Sequence, residues 1–396
     1  MPVVERLHFP DEAARHAAFP VTRHSIFMGH AGVSPLPKVA EEAIQLAAHR
    51  SAVDSQEYDG FPKEIDAARA VAARLLVSAK PEEIALVGPT ALGLNLVASG
   101  LDWHAGDEVV YYPGDYPSNV YPWTDLARQG VKPVPVAPAH TGHITPELVF
   151  AALTPRTKLV ALASCHFLTG YRLDYKTIGT ELKKRGILFC LDAIQSLGAT
   201  EVDVAYVDFL SADSHKWLLG PLGAGIFYVK AEHFAKVRPA LLGSWNVTSP
   251  RFIAQDEIAF PDTGRRYECG ALFGLGILGM KASMEMLLQL GVDPIEQRLL
   301  GLHTYAADLF RKAGYEILSD AFPASAHGFE ARTGIVTIRK PGASDTDYAA
   351  LFQKMKAKKI TASLRWDIQG APHFRFSPHF YNTEADFDVV LEALTS

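Results

Sequence analysis

The sequence predicts an α/β protein whose main sheet is largely parallel and covered by helices on both faces, followed by a smaller α+β region. Between residues 83 and 230, short apolar runs alternate with stretches of helical pattern. The runs are apolar throughout, which is typical of strands that are buried on both faces of a parallel sheet. After about residue 265 the pattern changes to long helices followed by separate strands. This change indicates a second unit.

The larger region is defined by its apolar runs and the helical segments between them. The predicted strands are EIALVG (83–88), DEVVYY (107–112), TKLVALAS (157–164), ILFCLD (187–192), DFLSAD (208–213) and GAGIFYV (223–229). Helices are expected after Pro89, over residues 117–129 and over DYKTIGTELKKRG. The last of these has a basic final turn and ends at Gly186, as helix C-termini often do.

The smaller region is predicted from two long helical patterns and two short strand patterns. Helices are expected at about 274–290 and 294–313 and from about Thr383, and strands at 334–340 and 374–378. We therefore predict a large domain at 20–265 and a small domain at 266–396, to which residues 1–19 return.

Composition excludes several classes of partner. The net charge is −6 and 21% of residues are charged, so nothing in the charge balance attracts nucleic acid or an anionic membrane. Cys165, Cys190 and Cys269 are scattered, which argues against a disulfide framework and a thiolate zinc site. We expect no metal and a reducing, cytoplasmic location, since the N-terminal segment has no apolar signal-peptide core.

Candidate chemistry is expected where the strands end. In an open parallel sheet the ligand lies beyond the carboxyl ends of the strands. This rule selects residues 89–91, Tyr116, His166, Asp192 and Lys216.

Lys216 lies just after a predicted strand, in DFLSADSHKWLLGPLGAG. A lone lysine is most often a solvated surface residue. Here the neighbours are apolar and aromatic, and desolvation among them would lower the pKa of the amine. The neutral amine is the form that Schiff-base chemistry requires.

Asp192 ends the apolar strand ILFCLD, where an isolated carboxylate is costly. The carboxylate is either paired within the protein or faces a protonated ring nitrogen of a ligand. Gln195, three residues further on, could reach the same ligand.

Thr90 opens a predicted helix in GPTALGLN (88–95). It is either a simple N-cap or part of a phosphate site built on the free N–H groups of the helix N-terminus. Leu94 and Asn95 stand where a P-loop needs Lys and Ser or Thr, which argues against a nucleotide-binding protein. The absence of H-E-x-x-H, G-x-S-x-G and G-x-G-x-x-G motifs argues against metalloproteases, serine hydrolases and dinucleotide-dependent dehydrogenases.

In order and spacing, DAIQSLG, SADSHKWLLGP, RRYECG and FRFSPHFYNT resemble the class V aminotransferase superfamily, which includes cysteine desulfurases, kynureninases and isopenicillin N epimerase-like enzymes. The similarity runs from FMGHAGVSPLP (27–37) to FRFSPHFYNTEADF (374–387). It implies the pyridoxal 5'-phosphate-dependent transferase fold with a seven-stranded main sheet, and pyridoxal 5'-phosphate as cofactor. It also implies a homodimer whose sites are completed across the interface.

The resemblance implies catalytic roles for two residues. Lys216 would hold the cofactor as a Schiff base and then act as the base at Cα, and Asp192 would pair with the pyridinium nitrogen. Gln195 would donate to the ring hydroxyl, and Tyr116 would stack on the ring.

The resemblance also implies further contacts to the cofactor and the substrate. Phosphate or ring contacts would come from Thr90, Ala91, His166, His215 and Ala271. Arg375 matches the arginine that binds the substrate carboxylate, a task that suits a planar guanidinium. His30 is a second candidate for the substrate pocket, and the roles of Trp245, Arg251 and Arg365 stay open.

Three departures from the family pattern limit the interpretation. Ala271 stands where many relatives carry a Thr that reaches the partner's phosphate, and Gly29 replaces a common Asn. Desulfurases use a mobile cysteine in the last third of the chain, but here no cysteine follows Cys269. This argues against a desulfurase that forms a protein persulfide.

The implied function is a reaction at Cα of an amino acid through a lysine aldimine and a quinonoid intermediate, in a class V aminotransferase-type enzyme. Transamination, racemisation and elimination remain open. One rival is a C–S or C–C lyase of the cystine lyase or kynureninase kind, or an epimerase. Another is an inactive ligand-binding protein on the same fold. The sequence does not identify the amino acid.

Overall fold

The computed structural model describes Leu7 and residues 9–322 and 328–395. Its strands are β1 (Ile26–Phe27), β2 (Leu76–Val77), β3 (Ile84–Val87), β4 (Glu108–Tyr111), β5 (Lys132–Pro135), β6 (Thr157–Ala163), β7 (Leu188–Asp192), β8 (Val202–Asp203), β9 (Phe209–Asp213), β10 (Gly225–Val229), β11 (Glu316–Ile317), β12 (Val336–Arg339), β13 (Ile360–Thr361), β14 (Ser363–Trp366) and β15 (Pro372–Phe376). Its helices are α1 (Glu12–Ala18), α2 (Lys38–Val53), α3 (Phe61–Leu75), α4 (Thr90–Gly100), α5 (Tyr121–Thr124), α6 (Pro146–Ala152), α7 (Tyr175–Arg185), α8 (Gly274–Leu290), α9 (Val292–Lys312), α10 (Asp345–Ala357) and α11 (Glu384–Thr395).

The main sheet has seven strands in the order β3-β10-β9-β7-β6-β4-β5. Strands β9, β7, β6, β4 and β5 pair in parallel, and β10 is antiparallel to both β9 and β3. The predicted mainly parallel α/β sheet is therefore confirmed. The reversed direction of β10 follows from its connection to β9, which is a loop without a crossover helix.

Successive residues of the central strands enter separate hydrophobic cores on the two faces of this sheet. In β6, Val160 and Leu162 belong to the core that includes side chains of α3, α7 and α8. Leu159 and Ala161 belong to the core that includes side chains of α4. Side chains of a strand point alternately to the two faces, so a strand covered on both sides must be apolar at every position.

Helix boundaries follow the expected signals in one segment and not in another. In α7, the Asp174 side chain accepts a hydrogen bond from Thr177 N at 3.1 Å, and the helix ends at Gly186 with φ of 69°. The continuous helix predicted over 117–129 is wrong, because only α5 and flanking 3-10 turns form there. Pro122 has no N–H to donate back along a continuous helix.

A buried ion pair links α3 to the chain ahead of α8. The guanidinium of Arg69 contacts both carboxylate oxygens of Glu268, with Nη2 to Oε2 at 2.8 Å. Oε1 of Glu268 also accepts the backbone N–H of Leu86 at 2.7 Å. The pair is almost fully buried, so each charge depends on the other for its stabilisation.

A second, antiparallel sheet has the order β11-β12-β15-β14 and shares a core with α9, α10 and α11. Strand β1 pairs with β13 in parallel, which joins the N-terminal segment to this region. The domain limits predicted near residues 19 and 265 stay a prediction.

Within the described ranges no single helix could span a membrane by length and composition; α8 and α9 pass that test only as a pair bent by 82°.

Candidate active site

A cavity of about 360 Å³ opens at the carboxyl edge of the main sheet, next to β14 and β15. It is lined by most of the residues that the sequence predicted: Thr90, Ala91, Tyr116, Asp192, Gln195, His215, Lys216 and Arg375. Residues that are distant in the chain meet here because parallel strands deliver the loops after them to one edge.

Lys216 and Asp192 are both buried in the cavity wall, with 7% and 4% of their surface exposed. Burial lowers the pKa of Lys216 to about 8, although the charge of Asp192 raises it in part. Burial raises the pKa of Asp192 to about 6. The hydrogen bond from Ile194 N, 3.0 Å from Oδ1, and the charge of Lys216 both act to lower this pKa and offset the shift in part. An amine close to neutrality beside a buried carboxyl is a favourable arrangement for a nucleophile or base.

The main chain around Lys216 is fixed by hydrogen bonds at three successive carbonyls. Ser34 N donates to His215 O at 2.7 Å, and Ser34 Oγ donates to Lys216 O at 2.5 Å. Nε2 of His379 lies 3.1 Å from Trp217 O. These contacts hold the backbone, whereas the amine of Lys216 itself is left to face the cavity.

The N-terminus of α4 offers hydrogen-bond donors to the cavity. The helix begins at Thr90 without a side-chain cap from Pro89, so its first N–H groups have no partner within the helix. Oγ1 of Thr90 accepts the backbone N–H of Asp213 at 2.8 Å, and its own proton can therefore be donated to a ligand. Free N–H groups and the positive end of the helix dipole suit an anion such as a phosphate.

Gln195 is held by both ends of its amide. Nε2 donates to Ala31 O at 3.1 Å, and Oε1 accepts the indole N–H of Trp217 at 2.9 Å. The second hydrogen on Nε2 is left for a ligand, because a primary amide carries two donors.

Tyr116 lies across the cavity from the lysine. Nζ of Lys216 is 5.3 Å from the centre of its ring, which is 48% exposed. The residue before it, Asp115, accepts Tyr116 N at 2.7 Å and Asn119 Nδ2 at 3.0 Å. Burial and the nearby charge of Asp192 raise the pKa of Asp115 to about 7. Asp115 does not line the cavity but holds the backbone of Tyr116, and the sequence did not identify this supporting residue.

Arg375, on β15, is buried with 1% exposed. Nη1 donates to Phe167 O at 2.6 Å and Nη2 donates to Ser363 Oγ at 3.2 Å, while Nε has no partner in the described chain. Burial and the charge of Arg365 lower the pKa of Arg375 to about 9. A buried guanidinium that has only neutral partners is suited to bind an incoming carboxylate.

Comparison with known proteins shows which family the chain belongs to. A family model described as aminotransferase class V matches residues 30–390. The chain belongs to the class V aminotransferase family. This family member is 27% identical to a probable cysteine desulfurase of Pyrococcus abyssi, over 95% of this chain and 94% of that protein. It is 28% identical to an isopenicillin N epimerase of Streptomyces clavuligerus, over 91% and 92%.

Solved structures of class V aminotransferase relatives have the same fold. The apo cysteine desulfurase of Thermococcus onnurineus NA1 superposes with a TM-score of 0.85 and 23% identity, over 98% of each chain. A cystine C–S lyase bound to cysteine persulfide superposes with a TM-score of 0.84 and 20% identity, over 95% of this chain and 99% of that one. The predicted pyridoxal 5'-phosphate-dependent transferase fold is confirmed.

Pyridoxal 5'-phosphate is the cofactor of this family member, and the groups around the cavity suit it. Lys216 would offer the amine, and Asp192 would offer a carboxylate for the ring nitrogen. The N–H groups and hydroxyl at Thr90 and Ala91 would hold the phosphate, and the free amide hydrogen of Gln195 would reach the ring hydroxyl.

Two residues that were predicted to contact the cofactor or the substrate, His166 and His30, do not line the cavity. Nε2 of His166 lies 3.1 Å from Gly114 O, and its Nδ1 lies 3.1 Å from Thr169 Oγ1. The next residue, Phe167, lines the cavity instead. His30 is fully buried, with Nδ1 2.8 Å from Ser377 O and Nε2 2.7 Å from the Tyr381 hydroxyl. Both rings use their nitrogens to support loops.

The other candidates lie in different parts of the molecule. Ala271 is exposed in a separate cavity of about 550 Å³, so its contact with a partner's cofactor stays a prediction. Trp245 lines a third cavity, and Arg251 is exposed with φ of 57°. Arg365 does line the active-site cavity.

Proposed function

We propose that this protein acts at the Cα of an α-amino acid, as an aminotransferase-type enzyme in which Lys216 holds pyridoxal 5'-phosphate covalently and then moves the α-proton. The observation that supports this proposal is the buried amine of Lys216, with a pKa near 8, in one cavity with a buried carboxyl and a guanidinium that lacks an acidic partner.

In the proposed reaction, Arg375 binds the α-carboxylate and orients Cα towards the amine of Lys216. Lys216 removes the α-proton as a neutral amine, and Asp192 keeps a proton on the ring nitrogen. When bound, the cofactor supplies a conjugated ring that takes up the negative charge left at Cα. Tyr116 covers the ring and limits the access of water.

The next proton transfer decides the product. If Lys216 delivered the proton to the cofactor side, the outcome would be transamination, and if it returned the proton to Cα, the outcome would be racemisation or epimerisation. If the side chain carries a leaving group at Cβ, its departure leads to elimination. The pocket shape and the substrate select among these outcomes.

A C–S lyase that works without a protein cysteine is the second candidate, because relatives with similar sequences are described as cysteine desulfurases. Cys165 and Cys190 are buried, Cys269 is half-buried, and none of the three lines the cavity. Sulfur would therefore leave on a fragment of the substrate. Product analysis separates the two candidates: a keto acid with aminated cofactor, or pyruvate with a sulfur-containing fragment.

The test of Lys216 is its replacement by alanine. We expect Lys216→Ala to lose the visible absorption of the bound cofactor and all turnover, and borohydride to label Lys216 in the wild type, as mapped by peptide mass spectrometry. The exposed Lys236 provides a matched control, since Lys236→Ala should keep both colour and activity. A Lys216→Ala protein that is as yellow and active as the wild type would refute the proposal.

We further propose that the chain works as a homodimer in the cytoplasm. The segment from 241 to 273 exposes large apolar side chains, among them Leu241, Leu242, Phe252, Ile253 and Phe273, as surfaces that associate often do. Sedimentation should give twice the chain mass at micromolar concentration. A purely monomeric holoenzyme would contradict this expectation.

A further inference from the structure

Arg365 lies on the same face of the second sheet as Arg375. Strands β14 and β15 are antiparallel, with Ser363 opposite Arg375 and Arg365 opposite His373. Opposite residues share a face, and so do residues two apart along a strand. The two arginines are therefore diagonal neighbours, whose backbone positions are roughly 7–8 Å apart in such a pair. Both line the active-site cavity.

The cavity has more positive than negative side chains. Among the described residues that line it, Lys216, Arg365 and Arg375 are basic, whereas Asp192 is the single carboxylic acid. Arg365 is exposed and makes no ion pair or side-chain hydrogen bond to the described part of the chain, so the five donors of its guanidinium are free for water or a ligand. Two neighbouring guanidinium groups repel each other, and an anion between them would offset that repulsion.

The proposed function gives several other charged or polar groups of the cavity a partner on the cofactor or the substrate. Arg375 would take the α-carboxylate, the N-terminus of α4 would take the phosphate, and Asp192 would face the ring nitrogen. Arg365 is left without an assigned anion, at the exposed side of the cavity where the amino acid side chain would extend.

We propose that Arg365 binds a second anionic group at the far end of the substrate, so that the enzyme acts on amino acids whose side chains end in a carboxylate or sulfinate. This inference rests on the proposed function. The anion could be part of a short acidic side chain, as in aspartate or glutamate, or the distant carboxylate of a longer one, as in cystine.

Equilibrium binding of unreactive acids tests the pair of arginines without turnover. In calorimetry with the holoenzyme, succinate should bind about 30-fold more tightly than propionate, because it can form one further charge-assisted contact. Arg365→Gln should remove that difference, and Arg365→Lys should restore part of it. Arg339→Gln is the matched control, since Arg339 is an exposed arginine on the same sheet outside the cavity.

Turnover and cofactor spectra identify the anionic side chain. We expect aspartate, glutamate, cysteine sulfinate or cystine to have a KM about 30-fold lower than alanine or 2-aminobutyrate. Arg365→Gln should raise the KM for the acidic substrates selectively, whereas Arg375→Gln should impair both groups. A preference for cystine alone would assign Arg365 to a distant carboxylate, and a preference for aspartate, glutamate or cysteine sulfinate would assign it to a short side chain.

Three results would overturn the inference. If neutral amino acids react as well as acidic ones, the proposed function stands and the role of Arg365 fails. If Arg365→Gln weakens cofactor binding without changing substrate preference, Arg365 is a phosphate ligand instead. If no amino acid changes the cofactor spectrum, the proposed function fails and the inference falls with it.

Discussion

The rate at which the amine of Lys216 reacts should depend on the fraction of that amine that is neutral. This fraction at a given pH follows from the pKa of Lys216, which burial lowers. An exposed lysine has a pKa of about 10.4, so about one amine in a thousand is neutral at about pH 7.5. Burial lowers the pKa of Lys216 to about 8, so about a quarter of its amines are neutral at that pH. The neutral fraction is therefore about 200 times that of a surface lysine.

The sign of the effect follows from the charge of the amine. Deprotonation creates the nucleophile, so reactivity rises with pH and levels off above pH 8 for Lys216, whereas an exposed lysine continues to gain reactivity well beyond that. The charge of Asp192 raises the pKa of Lys216, so Asp192→Asn should move the midpoint to lower pH. Asp54→Asn changes an exposed carboxylate at the end of α2 and should leave the midpoint in place.

Reductive methylation of the apoprotein with formaldehyde and cyanoborohydride measures this midpoint. Samples quenched over time at each pH are digested, and the peptides with Lys216 and with the exposed Lys236 are quantified by mass spectrometry. A midpoint for Lys216 that coincides with that of Lys236 would refute the reasoning, because it would mean that the amine is fully solvated.

Two further predictions concern the carboxylates. Asp192→Ala should keep the circular dichroism spectrum of the wild type and slow α-proton exchange of a bound amino acid about 100-fold or more, as followed by NMR in deuterated buffer; exchange at the wild-type rate would remove Asp192 from the reaction. Glu268→Gln should lower the free energy of unfolding by about 3–5 kcal/mol in urea denaturation, because it leaves Arg69 as a buried, unpaired charge. Asp125→Ala, at the exposed Arg128 pair, is the control and should change stability little, and an equal loss in both variants would contradict the argument.

The main sheet could be predicted because its strands are short, apolar throughout and separated by helices. The direction of β10 could not, since an apolar run has the same pattern in either direction and the loop before it decides. Helix α3 was overlooked although its buried residues Phe61, Ile65, Ala68, Ala72 and Leu75 follow helical spacing. Helix α2 buries only Ala40 and Ala47, so its pattern is weak.

The cavity residues could be predicted where they directly follow a strand or begin a helix. Asp192 ends β7 and Thr90 begins α4, so the topology of the sheet fixes their location. His166 belongs to the loop after β6, where no strand periodicity says which side chain turns inward, and Phe167 does so instead. Arg365 was one of several candidates for the pocket whose role the sequence left open, and it lines the cavity because β14 pairs with the next strand, β15.

If Lys216 is the base that we propose, the anchored carbonyls at and beside it have a kinetic consequence. With the chain pinned at His215, Lys216 and Trp217, the base can travel only by rotating the bonds of its own four-carbon stem. Such rotations take picoseconds to nanoseconds in exposed side chains, whereas typical enzymes complete a cycle in milliseconds or longer, which leaves a wide margin for slower rotation of a buried lysine. Swinging the base into and out of position should therefore never limit the rate, and no segment of polypeptide has to open for the proton to be handed over.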